Sequence, residues 1–318
     1  MLALKYGRYV FTCIFEDDAA LPSYKGSTLR GVFGHALKKV VCALKKQECS
    51  DCLLAERCIY PAIFETPRAT NLSSSGRKRI ASAPHPYVIE PPEDHKTMYK
   101  RGDRLEFVIL LFGKANECLP YFIYAFDQMG QMGIGKRING KGALFYLEEV
   151  AANESVVYSK RVGKILNELP LSDLSVAAGL SDHDAEMDIT ITLITPLRLK
   201  YQNSLNADLP FHVLIRAMLR RASSLLAHHD SQEPELDYRG LVKRAENVAV
   251  KKSTIQWFDW RRYSNRQEQA MLMGGMIGRV SYRGRLGEYL PLLDFCEKVH
   301  IGKATTFGLG KIHVQGVS

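Results

Sequence analysis

The chain runs twice through one order of apolar and polar segments. In the first half, Lys5–Glu16 (KYGRYVFTCIFE) has strand composition, and Leu29–Leu44 sets Leu29, Val32, Phe33, Ala36, Leu37, Val40 and Val41 on one helical face. Thr28, or Ser27 before it, is the expected cap. After a long excursion come strand-like Arg104–Phe112 (RLEFVILLF), a helix through Leu119–Met129, a glycine loop GQMGIGKRINGKG at 130–142, and strand-like Ala143–Val150. The second half opens with Asp188–Leu199 and a helix at Phe211–Ala227, whose stripe is Phe211, Leu214, Ile215, Met218, Ala222 and Leu225. Strands at Thr254–Trp260 and Met276–Tyr282, a helix near Leu286–Val299, a second glycine loop GKATTFGLGK at 302–311 and a strand at Lys311–Gln315 complete it. Each half therefore reads strand, helix, strand, strand, helix, glycine loop, strand. That order predicts an α+β protein of two tandem ferredoxin-like domains. The expected division is an N-terminal domain at 1–151, with a Cys-rich insertion at 42–58 and a loop at 65–103, a linker at 152–186, and a C-terminal domain at 187–318.

Composition narrows what such a protein does. With 318 residues, 46% hydrophobic and 24% charged, the chain can bury two ordinary cores. No apolar run approaches the roughly 18 residues of a membrane span, and Met1–Tyr6 offers no signal-peptide core, so a cytoplasmic protein with no membrane partner is expected. A formal net charge of +9 suits a polyanionic partner.

The glycine loops raise the question of phosphate. Gly130, Gly135 and Lys136 fit nucleotide P-loop spacing, but Arg137 stands where the motif needs a Ser or Thr hydroxyl. The loop also follows a helix and leads into a strand, the reverse of the context that aims helix N–H groups at a phosphate. Two readings remain open: glycines turning a tight corner, or small residues exposing backbone N–H groups beside Lys136, Arg137, Lys303 and Lys311 to a sugar-phosphate backbone.

The run HIGKATTFGLGKI, with LRGVFGHALKKVVC, CSDCLLAERCIYPAIFET, PHPYVIEPP and WFDWRRYSNRQ...GGMIGRVSYRG, resembles the CRISPR-associated endoribonucleases that cut precursor CRISPR RNA, members of the RAMP superfamily. The likeness covers nearly the whole chain, and the C-terminal glycine loop is its most specific piece. It implies two RRM-like domains, each ending in a glycine-rich loop against RNA, metal-independent cleavage within CRISPR repeats, and CRISPR repeat RNA as substrate. A non-cleaving RNA-binding RAMP subunit of a CRISPR effector complex is the alternative, with other effector subunits as partners. A zinc-ribbon module acting on DNA or protein is a third.

Four of the seven cysteines, Cys42, Cys49, Cys52 and Cys58, lie within seventeen residues. The Cys49-x-x-Cys52 pair has the knuckle spacing that lets two sulfurs reach one ion, so a structural Zn²⁺ with four thiolates is expected. Free thiols, with Cys42 packed at a helix end, are the bland alternative. An iron–sulfur cluster is a further one. Four protein ligands leave no open position, so no cofactor is expected in catalysis.

Metal-free RNA scission uses the neighbouring 2′-hydroxyl as nucleophile, and the protein must move two protons and stabilise charge at phosphorus. Histidine, with an unperturbed pKa of about 6.5, suits one transfer. His35 is the choice: it lies off the apolar stripe of the first helix, with Gly31 one turn before and Lys38 and Lys39 one turn after. Gly31 and Gly34 each cost a helix about 1 kcal/mol relative to alanine, which suggests close approach of RNA or packing of the second domain on this face. His85, His212 and Lys25 compete. The resemblance implies histidine, tyrosine and lysine near the first domain's helices, which nominates Tyr24 and Lys38 beside His35; the helix itself holds no tyrosine.

RNA contacts are nominated more widely: Lys39, Lys136 and Arg137, then Arg261, Arg262 and Arg266 around a hairpin tip, then Gly302, Lys303, Thr305, Thr306, Gly308, Gly310 and Lys311 of the second loop. Arg216, Arg220 and Arg221 are expected on the polar face of the second domain's helix, and Trp257 and Trp260 in core or interface. Arg77, Lys78 and Arg79 fall in a Ser-rich stretch read as a loop that orders on RNA.

Overall fold

The computed structural model describes all residues except 1–2, 46–47, 66–82, 139, 166–167, 177–185, 200–206, 230–233, 265–268 and 317–318, with backbone alone at 138, 260–264 and 269–272. The chain divides into two compact units, one spanning Lys5–Asp173 and the other holding the rest. Arg77, Lys78, Arg79 and Arg266 lie outside the described residues.

The first unit contains β1 (Leu4–Phe15), β2 (Ala19–Ala20), α1 (Gly26–Val41), β3 (Tyr87–Glu90), β4 (Met98–Tyr99), β5 (Arg104–Phe112), α2 (Leu119–Met132), β6 (Ile134–Ile138), β7 (Lys141–Ala143), β8 (Phe145–Ala152), β9 (Ser155–Ser159) and β10 (Ser172–Leu174). Its main sheet runs β3-β5-β1-β8-β9, with β10 also on β1. Dropping the outer β9 and β10 leaves the two crossover connections of the ferredoxin-like fold, antiparallel throughout. β3 is the strand missing from the first-half pattern. All four of its residues are buried, so it shows none of the alternation that marks a half-buried strand.

The core lies between this sheet and the two helices. Phe33 of α1 stacks on Phe122 and Phe126 of α2 at centroid distances of 5.0 and 4.8 Å, and Phe126 meets Phe11 and Phe107 of the sheet. Of the expected stripe, Leu29, Phe33, Ala36 and Leu37 are buried, while Val32, Val40 and Val41 are partly so. The expected cap is corrected. α1 begins at Gly26, so Ser27 and Thr28 lie in its first turn, and the N-cap is Lys25 with no side-chain cap bond. The Lys25 side chain is fully buried; its ammonium donates to the Asp94 carboxylate at 3.1 Å and the Asp94 carbonyl at 3.2 Å.

The segment 152–186, expected to be a linker, departs from that reading. β9 pairs with β8, and β10 pairs with β1, where Lys5 meets Asp173 at 3.0 Å. Short strands with one exposed face carry too few apolar residues to register in the pattern.

The second unit contains β11 (Glu186–Leu197), α3 (Phe211–His229), α4 (Tyr238–Arg244), β12 (Ala249–Ser253), β13 (Gln256–Ser264), β14 (Gln269–Arg285), α5 (Leu290–Val299) and β15 (Ile312–Gln315). Its sheet runs β12-β14-β11-β15, the same connectivity again, with β13 folded back on β14 from Gln256↔Ile277 to Ser264↔Gln269. All six stripe residues of α3 are buried. Among the described residues, no helix is long and apolar enough to cross a membrane.

Candidate active site

α1 presents an outer face bearing Gly31, His35 and Lys39, all exposed and spaced four apart. A Cβ added at Gly31 would meet nothing within 4 Å, so the surface one turn before the imidazole is open. Gly34 has another neighbour. Its missing Cβ leaves room for the Phe64 ring, from the Pro61–Glu65 turn that lies along the helix. The close approach that this glycine permits is therefore made by the first unit's own chain.

That turn also places a cation. Tyr60 stacks on Phe64 at 5.4 Å, the Lys38 ammonium lies 5.5 Å from the Tyr60 centroid, and the Arg30 guanidinium lies 4.5 Å from the Phe64 centroid. Lys38 is half-buried and held one turn from His35, whereas Lys39 reaches into solvent.

The other acid–base candidates fall elsewhere. Tyr24 precedes α1, and His35 lies about 14 Å along the axis from the first helical residue. Burial, and then the Glu90 carboxylate, hold the Tyr24 phenol above its ordinary range. Lys25 is committed to Asp94. His85 is half-buried, its Nδ1 3.3 Å from the Ile63 carbonyl and its ring 5.8 Å from Tyr87, which ties it to the Pro61–Glu65 turn. His212 is half-buried on α3 of the other unit.

The glycine loops differ from expectation. In the first, Gly130 lies inside α2, where a Cβ would strike the Phe145 carbonyl, and Ile134–Ile138 pairs with Lys141–Ala143 as a two-stranded ribbon. Lys136 and Arg137 are exposed on that ribbon. Helix before and strand after is the context that argues against a P-loop.

The second loop is knitted into its own unit. N–H groups of Ile301, Lys303, Phe307, Gly308, Gly310 and Lys311 all donate within the protein, to Gly310, Arg198, Ala304, Thr305 and Pro196 carbonyls and the Thr195 hydroxyl. Thr305 and Thr306, nominated as RNA contacts, are buried. Lys311 is half-buried. Lys303 is the exposed cation of the loop.

Arg216 and Arg220 are exposed on α3, but Arg221 turns inward. Its guanidinium donates to the Val299 carbonyl at 2.9 Å and the His300 carbonyl at 3.1 Å, and burial lowers its pKa to about 10. On β13, Arg261 and Arg262 pair across from Leu272 and Met271. Trp257, expected in core or interface, is half-buried with its indole N–H on the Asp259 carboxylate at 2.7 Å. The Trp260 side chain lies outside the described ones.

Residues 4–170 match a family model described as the AF_1859 N-terminal domain, and residues 191–312 match the model of the CRISPR-associated endoribonuclease Cas6. The chain belongs to the family that the AF_1859 N-terminal model describes, and its residues 191–312 carry a CRISPR-associated Cas6 endoribonuclease domain. An uncharacterized protein of Archaeoglobus fulgidus is 27% identical over 301 residues, 93% of each chain. Among solved structures, a partial Cas6-RT-Cas1–Cas2 complex superposes with a TM-score of 0.59 at 14% identity, covering 99% of this chain and 47% of that one. This chain thus spans about half of that longer protein. A Thermus thermophilus Cas6 product complex superposes with a TM-score of 0.54 at 14% identity, covering 98% of this chain and 100% of its own. At these identities the superpositions establish the fold.

The second unit holds one further buried histidine with no signal in the sequence. His300, fully buried with φ +58°, sets Nδ1 3.1 Å from the Leu309 carbonyl and so closes the second loop from beneath. A left-handed histidine carries no pattern in sequence. The two helix glycines separate in a measurable way. Gly31→Ala should raise stability by about 1 kcal/mol in chemical denaturation, because it adds helix propensity in open space. Gly34→Ala should lower it, because the new methyl displaces Phe64.

Proposed function

We propose that this Cas6-family endoribonuclease cuts precursor CRISPR RNA within its repeats by intramolecular attack, with no metal in the chemistry. The ribose 2′-oxygen bonds to the adjacent phosphorus, the bond from phosphorus to the 5′-oxygen breaks, one proton leaves the 2′-hydroxyl and one reaches the departing oxygen. His35 carries one of these two transfers. Lys38, fixed over Tyr60, and Lys39 in solvent supply positive charge for the phosphorane. Lys136, Arg137 and Lys303 hold phosphates along the RNA. The observation that carries this reading is the open surface at Gly31 beside an exposed histidine flanked by two lysines on the same helix.

End-labelled repeat RNA incubated with the protein in excess EDTA tests it. The expected products are a 2′,3′-cyclic phosphate on one fragment and a 5′-hydroxyl on the other, at an undiminished first-turnover rate. A 5′-phosphate product, or cleavage abolished by EDTA and restored by a divalent ion, would overturn the mechanism. Tight binding without cutting would favour the non-catalytic RAMP subunit.

A further inference from the structure

From Cys42 to Cys58 the hydrophobic pattern is inverted. Leu44, Leu53 and Leu54 point outward, with Leu53 87% exposed, and none of the described residues in this stretch is buried. The described residues that are not fully exposed are Cys42, Cys49, Cys52, Cys58 and Ala55. A segment that turns its leucines to water and its thiols inward is not organised around an apolar core. Segments of this size without a core are usually held by a staple, a disulfide or a metal.

All four thiols line one cavity, with Tyr60 and Pro61 as part of its wall. Its volume of about 20 Å³ suits one water-sized occupant. Two tight turns deliver the thiols: the Cys52 N–H donates to the Cys49 carbonyl at 3.4 Å, and the Cys58 N–H to the Ala55 carbonyl at 3.4 Å. Cys42 is anchored separately, at the end of α1, by its N–H on the Lys38 carbonyl. The four thus line one cavity from the end of α1 and from two successive turns. They are free thiols, and among the described residues no three His, Cys, Asp or Glu side chains are arranged to hold a metal ion as placed.

We infer that Cys42, Cys49, Cys52 and Cys58 bind one Zn²⁺ as a closed tetrahedral thiolate site that staples this insertion to the end of α1. Binding breaks four S–H bonds and forms four Zn–S bonds; four protons leave to solvent, and the centre carries a charge of −2. Lys38, in the last turn of α1 and over the cavity-lining Tyr60, stands where that charge is offset. With all four positions taken by protein, the ion has no place for water or substrate, and its role is structural.

The test uses the full chain, purified under reducing conditions without chelator. Elemental analysis should find about one zinc per chain. Stripping it should lower the melting temperature, and ZnCl₂, but not MgCl₂, should restore it with release of about four protons per zinc. Cys49→Ser and Cys52→Ser should lose the zinc, while Cys118→Ser, outside the cavity, should keep it. Where the serine variants do not fold, zinc titration of stripped wild-type protein decides the matter. Less than roughly a tenth of an equivalent, with a melting temperature indifferent to added zinc, would overturn the proposal. So would iron with a visible charge-transfer band, or a disulfide among the four in freshly isolated protein.

Discussion

His35→Ala is expected to bind repeat RNA nearly as tightly as the natural chain and to cut it about 10²–10⁴-fold more slowly, the usual worth of a positioned acid or base. In free energy that is about 3–5.5 kcal/mol of transition-state stabilisation. The side chain projects from the outer face of α1, away from the phenylalanine cluster, so removing it leaves the core untouched. Single-turnover rates at saturating protein separate the step from binding and product release. Cleavage at the natural rate would remove His35 from the chemistry. Parallel loss of binding and cleavage would instead give α1 a docking role.

The second large effect concerns Gly310. Gly310→Val is expected to destabilise the protein by about 3 kcal/mol or more, because a β-branched residue is forced to φ +76° and its Cβ runs into the Ile301 backbone. Reduced solubility and an early melting transition should appear before any change in RNA affinity can be read. Gly308, also left-handed at φ +84°, belongs to the same closure. These glycines serve the loop before they serve a ligand. The clean probe of phosphate contact is Lys303→Ala, which should leave stability within about 0.5 kcal/mol and reduce the slope of log K against log salt by roughly 0.7. An unchanged slope in that variant would remove Lys303 from the RNA contacts.

What the sequence reveals follows from where each side chain gets its neighbours. α1, α2 and α3 carry apolar stripes against a sheet, and β5 was legible to the residue at Arg104–Phe112. β3, buried on both faces, and β9 and β10, short and largely exposed, show no such pattern. The start of α1 is not legible from a hydroxyl cap, because its N-cap is Lys25, a buried side chain whose partner, the exposed Asp94, lies 69 positions on. At the candidate site, the exposure of His35 was readable from its offset to the stripe. Gly34 was not, since Phe64 is thirty positions away in sequence. Thr305 and Thr306 look like surface polar residues and are buried, because the loop folds back on Thr195 and Pro196 of β11.

The ion pair between Lys5 and Asp173 joins the first residue of one compact unit to its last. Chain entry and chain exit therefore lie side by side, on neighbouring strands β1 and β10. A unit built this way is a cassette: its sequence can lengthen, as in the cysteine insertion, or be exchanged for a relative's, while the two cut ends stay the same short distance apart. Chimaeras spliced next to Lys5 and Asp173 thus preserve the geometry of the join, so that substrate preference can be moved between relatives one half at a time.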